Sequence, residues 1–258
     1  MLRALVWDVD GTLAETEHDG HRVAFNQAFA DEGLPWRWDE AVYAELLAIT
    51  GGKERLRAWW QRVDPAGAAS TGVAERIARL HARKTRHYLA RVEAGAVGLR
   101  PGVRRLIAQA RAAGLVQAIA TTTSPDNVTA LLAATLGTEA TGWFACIGAG
   151  DVVPQKKPAP DIYHWVLARL GLRADECVAI EDSAAGVAAA QAAGLAVLVT
   201  RSRYSRAERL PPVLADLDGL GEPGAAMQAA AGRVAGRPWQ GVVGLDELRD
   251  WLRNERRN

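Results

Sequence analysis

The sequence has little cysteine, no long apolar run and almost no charge imbalance. Its two cysteines, Cys146 and Cys177, cannot make a disulfide framework or a thiolate zinc site. No window approaches 18 consecutive apolar residues, which excludes a membrane-spanning helix. The first charge-free apolar stretch, Ala4 to Trp7, is too short for the core of a secretory signal. Basic and acidic residues nearly cancel, 31 against 30, so there is no electrostatic footprint for nucleic acid. No G-x-G-x-x-G follows the first strand, which disfavours a nicotinamide dehydrogenase. The expectation is a cytoplasmic, monomeric protein with a small-molecule partner and neither nucleic acid nor membrane. Lysine is the scarcest charge. Of the 31 basic residues only Lys53, Lys84, Lys156 and Lys157 are lysine. A lysine offers a compact point charge that the planar arginine fork does not.

What is present has a clear order. With 258 residues the chain can form one large domain, or a core carrying a smaller one. LRALVW (2–7) reads as a buried strand ending in Asp8 and Asp10. From 16 to 94 helices follow one another. Thr16 is expected to cap the first, Asp39 the second, and Ser70 or Thr71 a long one; a third helix follows Gly52. Beyond 98, strands (LVQAIAT, WFACIGAG, ECVAIED, LAVLVT) alternate with helices. That alternation predicts an α/β fold: a Rossmann-like parallel sheet core, residues 1–15 and 96–258, with an inserted helical cap domain, residues 16–95. Residues 219–240 read as a long loop or weak helix. LDELRDWLRN reads as a last helix and RNERRN as a solvated tail.

Reactive residues fall at strand ends. The first strand leads into Asp8-Val9-Asp10-Gly11-Thr12 and the second into Thr121. The third leads to Asp151 and Lys157-Pro158, and the fourth to Glu181-Asp182. In a parallel sheet these ends share one edge, where ligands bind. Clustered carboxylates repel one another unless a cation sits among them, and hard oxygen ligands favour Mg²⁺. The cation would also relieve repulsion between a carboxylate and a phosphate dianion, while a lysine and a hydroxyl cradle the phosphoryl oxygens. The constellation suits phosphoryl transfer through an aspartyl-phosphate. Thr50-Gly51-Gly52-Lys53 adds backbone N–H groups at a helix start plus a point charge, a fit for a second phosphate. Lys84, on the long cap helix, could face the same space.

These four motifs, in this order, resemble those of haloacid dehalogenase (HAD) superfamily phosphatases. The likeness implies Asp8 as nucleophile, Asp10 as general acid and base, and Thr121 and Lys157 as phosphoryl ligands. It implies Mg²⁺ on Asp8, the Asp10 carbonyl and Asp182, with Glu181 beside it. The helical insertion resembles the cap of the β-phosphoglucomutase and phosphoglycolate phosphatase subgroup. Glu15-Thr16-Glu17, Trp38-Asp39, Thr50 to Arg55, Ala120 to Ser124 and Lys156 to Asp161 are similar to the CbbY branch, sugar-phosphate phosphatases associated with Rubisco operons. That likeness implies hydrolysis of xylulose 1,5-bisphosphate to xylulose 5-phosphate, linked to the Calvin cycle. Glu17, Thr50, Gly51, Gly52, Lys53, Lys84, Thr122 and Thr123 would contact substrate. A phosphomutase or phosphoglycolate phosphatase is the alternative enzyme. A phospho-accepting signalling module is disfavoured, because such domains are about half this length and lack a cap. His18 and His21 read as exposed helix histidines, and Lys156 as a solvated neighbour of Lys157.

Overall fold

The computed structural model describes residues 1–224 and 229–255. Among these, eight strands form one sheet: β1 (Ala4–Trp7), β2 (Val116–Ala120), β3 (Cys146–Gly148), β4 (Cys177–Glu181), β5 (Ala196–Thr200), β6 (Ala215–Leu217), β7 (Ala230–Val234) and β8 (Arg237–Gly241). Their order is β3-β2-β1-β4-β5-β6-β7-β8. Pairing is parallel from β3 through β6. The first strand of the chain is thus central, between β2 and β4, as its continuous burial requires.

Alternate residues of each strand feed two cores. Leu5, Trp7, Ile119, Ile180 and Leu198 face one side. There they meet α6 (Val103–Ala112), α7 (Pro125–Leu136) and α10 (Leu245–Glu255). Ala4, Val6, Ala118, Ala179 and Val197 face the other, under α8 (Asp161–Leu170) and α9 (Ala184–Ala192). Small side chains on that face and on α9 let helix and sheet approach closely.

The inserted helices are α1 (Arg22–Asp31), α2 (Glu40–Leu46), α3 (Gly52–Val63), α4 (Pro65–Ala68) and α5 (Val73–Glu93). They enclose a third core of Phe25, Phe29, Trp38, Tyr43, Leu56, Trp60, Ile77 and Leu80. Asp39 caps α2 as expected, accepting from the Val42 N–H at 2.9 Å. Two expected caps differ. Thr16 has helical dihedrals and makes no cap bond, because its hydroxyl turns to Asp10. The long helix α5 starts after Gly72, in the left-handed region, and not at Ser70 or Thr71. A π-helical turn, Glu17–His21, precedes α1, a form frequent at functional sites.

The expected loop or weak helix at 219–240 is corrected. Residues 230–241 form the β7–β8 hairpin, which adds two antiparallel strands beyond β6. Residues 225–228 of that segment lie outside the described residues. Arg253 to Glu255 of the expected tail belong to α10, and 256–258 lie outside the described residues. Both cysteines are free: Cys177 is buried and Cys146 half-buried. No helix among the described residues is long and apolar enough to cross a membrane.

Candidate active site

The parallel register brings the ends of β1, β2, β3 and β4 to one edge. Asp8 follows β1 directly, and its N–H donates to the Ile180 carbonyl at 3.0 Å, so the neighbouring strand fixes its backbone. Gly11 turns the chain with φ +83°, and a Cβ there would stand 2.3 Å from Asp182 Oδ2. The motif glycine therefore makes room for the fourth motif as well as the turn.

Lys157 joins the strand ends. Its Nζ donates to Asp8 Oδ1 at 2.7 Å, to Glu181 Oε1 at 2.6 Å and to the Ala120 carbonyl at 2.8 Å. These use all three ammonium hydrogens. Tyr163 on α8 also donates to Glu181 Oε1, at 2.5 Å. Thr121 is buried beside them.

Asp8, Glu181 and Asp182 each bring one carboxylate oxygen within 4.8 Å of the others. Burial raises Asp8 to about 7; Glu181 and Asp10 add to the rise, and Lys157 opposes it. Burial, then Asp8, lifts Asp182 well above the usual carboxylate range. Glu181 Oε2 has no hydrogen-bond partner. Burial disfavours ionisation of Asp8 and Asp182, and the hard oxygens of the three buried carboxylates fit a hard divalent cation. The Asp10 carboxylate is not part of this trio.

Asp10 points to the cap instead. Its Oδ1 accepts from the Thr16 hydroxyl at 2.5 Å and lies 2.9 Å from His21 Nε2. His21 Nδ1 lies 2.9 Å from Lys84 Nζ. An ammonium can only donate, so Nδ1 accepts and Nε2–H donates to Asp10. Tyr88 stacks on the imidazole at 4.2 Å. Burial alone would raise the Asp10 pKa; the electrostatic attraction of His21 and the bonds from His21 and Thr16 overcome it and hold the group well below its usual range. Burial lowers Lys84 to about 8. The expectation of an exposed His21 is therefore wrong: it is 4% exposed and locked onto Asp10. Its four-residue spacing from Glu17, one helical turn, was the available signal.

The cavity between cap and core has two lobes. A small one of about 90 Å³ is lined by Asp8, Thr50, Gly51, Thr121, Lys157 and Asp182. A larger one of about 440 Å³ is lined by Gly52, Lys53, His81, Lys84, Thr123 and Lys156. Asp10, Glu17, Gly51, Arg55 and Thr122 line both. Every expected contact residue thus borders the cavity, while Glu181 lies fully buried behind it. Glu17 accepts from Tyr43 OH, and buried Arg55 also bonds that hydroxyl, at 3.0 Å. The Thr50 hydroxyl donates to the Lys157 carbonyl, tying the cap loop to the core. Lys156 is not the solvated neighbour expected. It is 14% exposed, with Glu54 at 2.9 Å and Asp151 at 3.0 Å. His81, buried among cations, is held down to about 3.

A strand-end aspartate, a lysine bridging it to a second acidic pair and a helical cap above define a hydrolase class. The chain belongs to the haloacid dehalogenase-like hydrolase family, whose model matches residues 2–194. It is 49% identical over 250 residues to the plasmid CbbY protein of Cupriavidus necator, covering 97% of this chain and 96% of that one. It is 50% identical over 207 residues to CbbY of Rhodobacter capsulatus, covering 80% and 88%. The crystal structure of Rhodobacter sphaeroides CbbY in complex with phosphate matches with a TM-score of 0.79 at 44% identity, covering 88% of this chain and 99% of that chain. A mutant of that protein was crystallised with xylulose-(1,5)bisphosphate. These likenesses make the chain a CbbY-type HAD phosphatase, an enzyme that hydrolyses phosphoric monoesters.

Proposed function

We propose that the chain is a Mg²⁺-dependent sugar-phosphate phosphatase that converts xylulose 1,5-bisphosphate to xylulose 5-phosphate and phosphate. The reading includes the division into a core, 1–15 and 96–258, and a cap, 16–95. It also includes a monomeric state and a cytoplasmic place beside the Calvin cycle. The observation that carries it is the two-lobed cavity, with Asp8 and Lys157 in one lobe and Lys53, Lys84 and Lys156 in the other. A sugar with a phosphate at each end fills both; a two-carbon monophosphate leaves the larger one empty. The relative crystallised with xylulose-(1,5)bisphosphate supports the same substrate.

In this reading an Asp8 carboxylate oxygen attacks the phosphorus, and the P–O bond to the sugar breaks. Asp10 gives its proton to the leaving sugar oxygen. Asp10 then takes a proton from water, whose oxygen attacks the aspartyl-phosphate and frees phosphate and Asp8. The resting Asp10, held ionised by Thr16 and His21, is ready for that second step. A phosphate dianion arriving beside it raises its proton affinity, as the first step needs. Lys157, turning to the phosphoryl group the hydrogen it now gives Asp8, holds the phosphoryl oxygens with Thr121, and Glu17, set by Tyr43, meets the sugar hydroxyls. Mg²⁺ held by Asp8, Asp182 and the Asp10 carbonyl, with Glu181 beside it, would offset the negative charge shared by phosphate and carboxylates. The test is a phosphate-release screen over sugar mono- and bisphosphates, with Mg²⁺ or EDTA. The highest kcat/KM should fall on xylulose 1,5-bisphosphate and vanish with EDTA. A preference for 2-phosphoglycolate, or conversion of β-glucose 1-phosphate to its 6-phosphate, would overturn the substrate assignment.

A further inference from the structure

The larger lobe already contains an anion. Lys53, in the first turn of α3 on the cap, donates to Asp151 Oδ2 at 2.8 Å. Lys156, on the core loop before Lys157, lies 3.0 Å from Asp151 Oδ1. One carboxylate therefore bridges two lysines from opposite walls, an oxygen to each. Lys156 also meets Glu54 Oε1 at 2.9 Å. Lys53, Asp151 and Lys156 all line the lobe. With Asp151 and Glu54 in place these two lysines are neutralised, and both become free for a ligand only when Asp151 leaves.

We propose that Asp151 is a built-in competitor for the substrate's distal phosphate: the incoming bisphosphate displaces it from Lys53 and Lys156, and its return expels the monophosphate product. This rests on the sugar-bisphosphate reading above. Asp151 is suited to leave, since its side chain is 63% exposed and that of Lys53 45%. Exposed pairs of this kind are worth at most about fivefold each in an equilibrium. A phosphate dianion offers more charge and more acceptor oxygens than a carboxylate, so it wins the exchange. Asp151 is also suited to return. Even off the lysines, an aspartate with its ordinary value near 3.8 is an anion at neutral pH, and the bonds from Lys53 and Lys156 favour that charged form further once it is back. The product retains its distal phosphate, and without a competitor it would stay bound to the same lysines.

The experiment compares wild type, Asp151→Asn, Lys53→Ala and the double variant. Sulfate binding is titrated by calorimetry, and KM and product inhibition are measured with xylulose 1,5-bisphosphate and xylulose 5-phosphate. Asp151→Asn should bind sulfate about 3- to 10-fold more tightly than wild type. Its KM and the product's inhibition constant should fall by a similar factor. The gain in sulfate affinity should shrink in the Lys53→Ala background, where Lys156 alone remains to be freed, because the residues act on one site. A raised KM with unchanged sulfate affinity would overturn the proposal and leave Asp151 as a strut between cap and core. Failure of the substrate reading looks different: wild type would turn over no sugar bisphosphate, while the sulfate titrations would still score Asp151.

Discussion

The small and large lobes of the cavity are built by different physics. Asp8, Lys157, Glu181 and Asp182 are all buried, and Asp8 takes its position from a strand in a packed parallel sheet. Lys157 has spent all its hydrogens on backbone and carboxylate partners from other strand ends. Around Lys53 the groups are half-exposed, come from cap and core in turn, and are held by ion pairs that water screens. Bond cleavage needs sub-ångström positioning, which the sheet supplies. Choosing and releasing a substrate needs reversible contacts, which the cap supplies.

The comparison can be broken from either side. Asp8→Asn should fold normally by circular dichroism and lose on the order of 10⁴-fold or more in kcat, as loss of a covalent nucleophile does. Normal turnover by that variant would remove the basis for assigning chemistry to the small lobe. His21→Asn should lower kcat by roughly 10²- to 10³-fold with little change in KM, because it positions and polarises Asp10 without holding the distal phosphate. A pure KM effect would make His21, which lines the larger lobe, a substrate contact and not the group that sets Asp10. Lys53→Ala should raise KM for the bisphosphate roughly 10- to 100-fold, the worth of a charge-assisted phosphate contact. If it slowed a monophosphate equally, the two lobes would be one unit.

The smallest effect is on stability. Lys84 is held down to about 8 in the folded chain against an ordinary value of 10.5. Between these two pH values the unfolded chain binds more protons than the folded one, so stability rises with pH across that window. Below pH 8 the full penalty of burying the charge is present. Lys84→Met should therefore stabilise the protein by roughly 1–3 kcal/mol at pH 7 and less at pH 10, as read by thermal unfolding. The same change should lower kcat, because it removes the partner that sets the His21 tautomer. A variant less stable at pH 7 would show that the Lys84–His21 bond outweighs desolvation.

The core was legible because its chemistry and its secondary structure share a register. Asp8, Thr121 and Glu181-Asp182 each stop an apolar run, and a parallel sheet aligns such stops. The cap residues were legible in kind, from the glycine pair and the rare lysines, but not in their partners. His21 meets Asp10 and Lys84 across two helices and a loop; its spacing from Glu17 marks the face it shares but not those partners. Asp151, read only as a strand-end acid, finds Lys53 by the same long-range closure. The β7–β8 hairpin was hidden for a compositional reason. Its turn is Ala235-Gly236, both with positive φ, where Asn-Gly is the usual signal. Its strands are rich in alanine, glycine and arginine, which carry little strand preference.

The central position of β1 has a consequence for biosynthesis. Its two sheet partners are β2 and β4, and β4 is made more than half the chain later. The buried residues of the cap's core, Phe25 to Leu80, leave the ribosome long before that. At translation speeds of about 5–20 residues per second, the nucleophile strand waits on the order of ten seconds or more for its second neighbour. The first catalytic residue synthesised is thus among the last to reach its final surroundings, and a nascent chain interrupted before residue 177 carries a complete cap core and an unfinished active site.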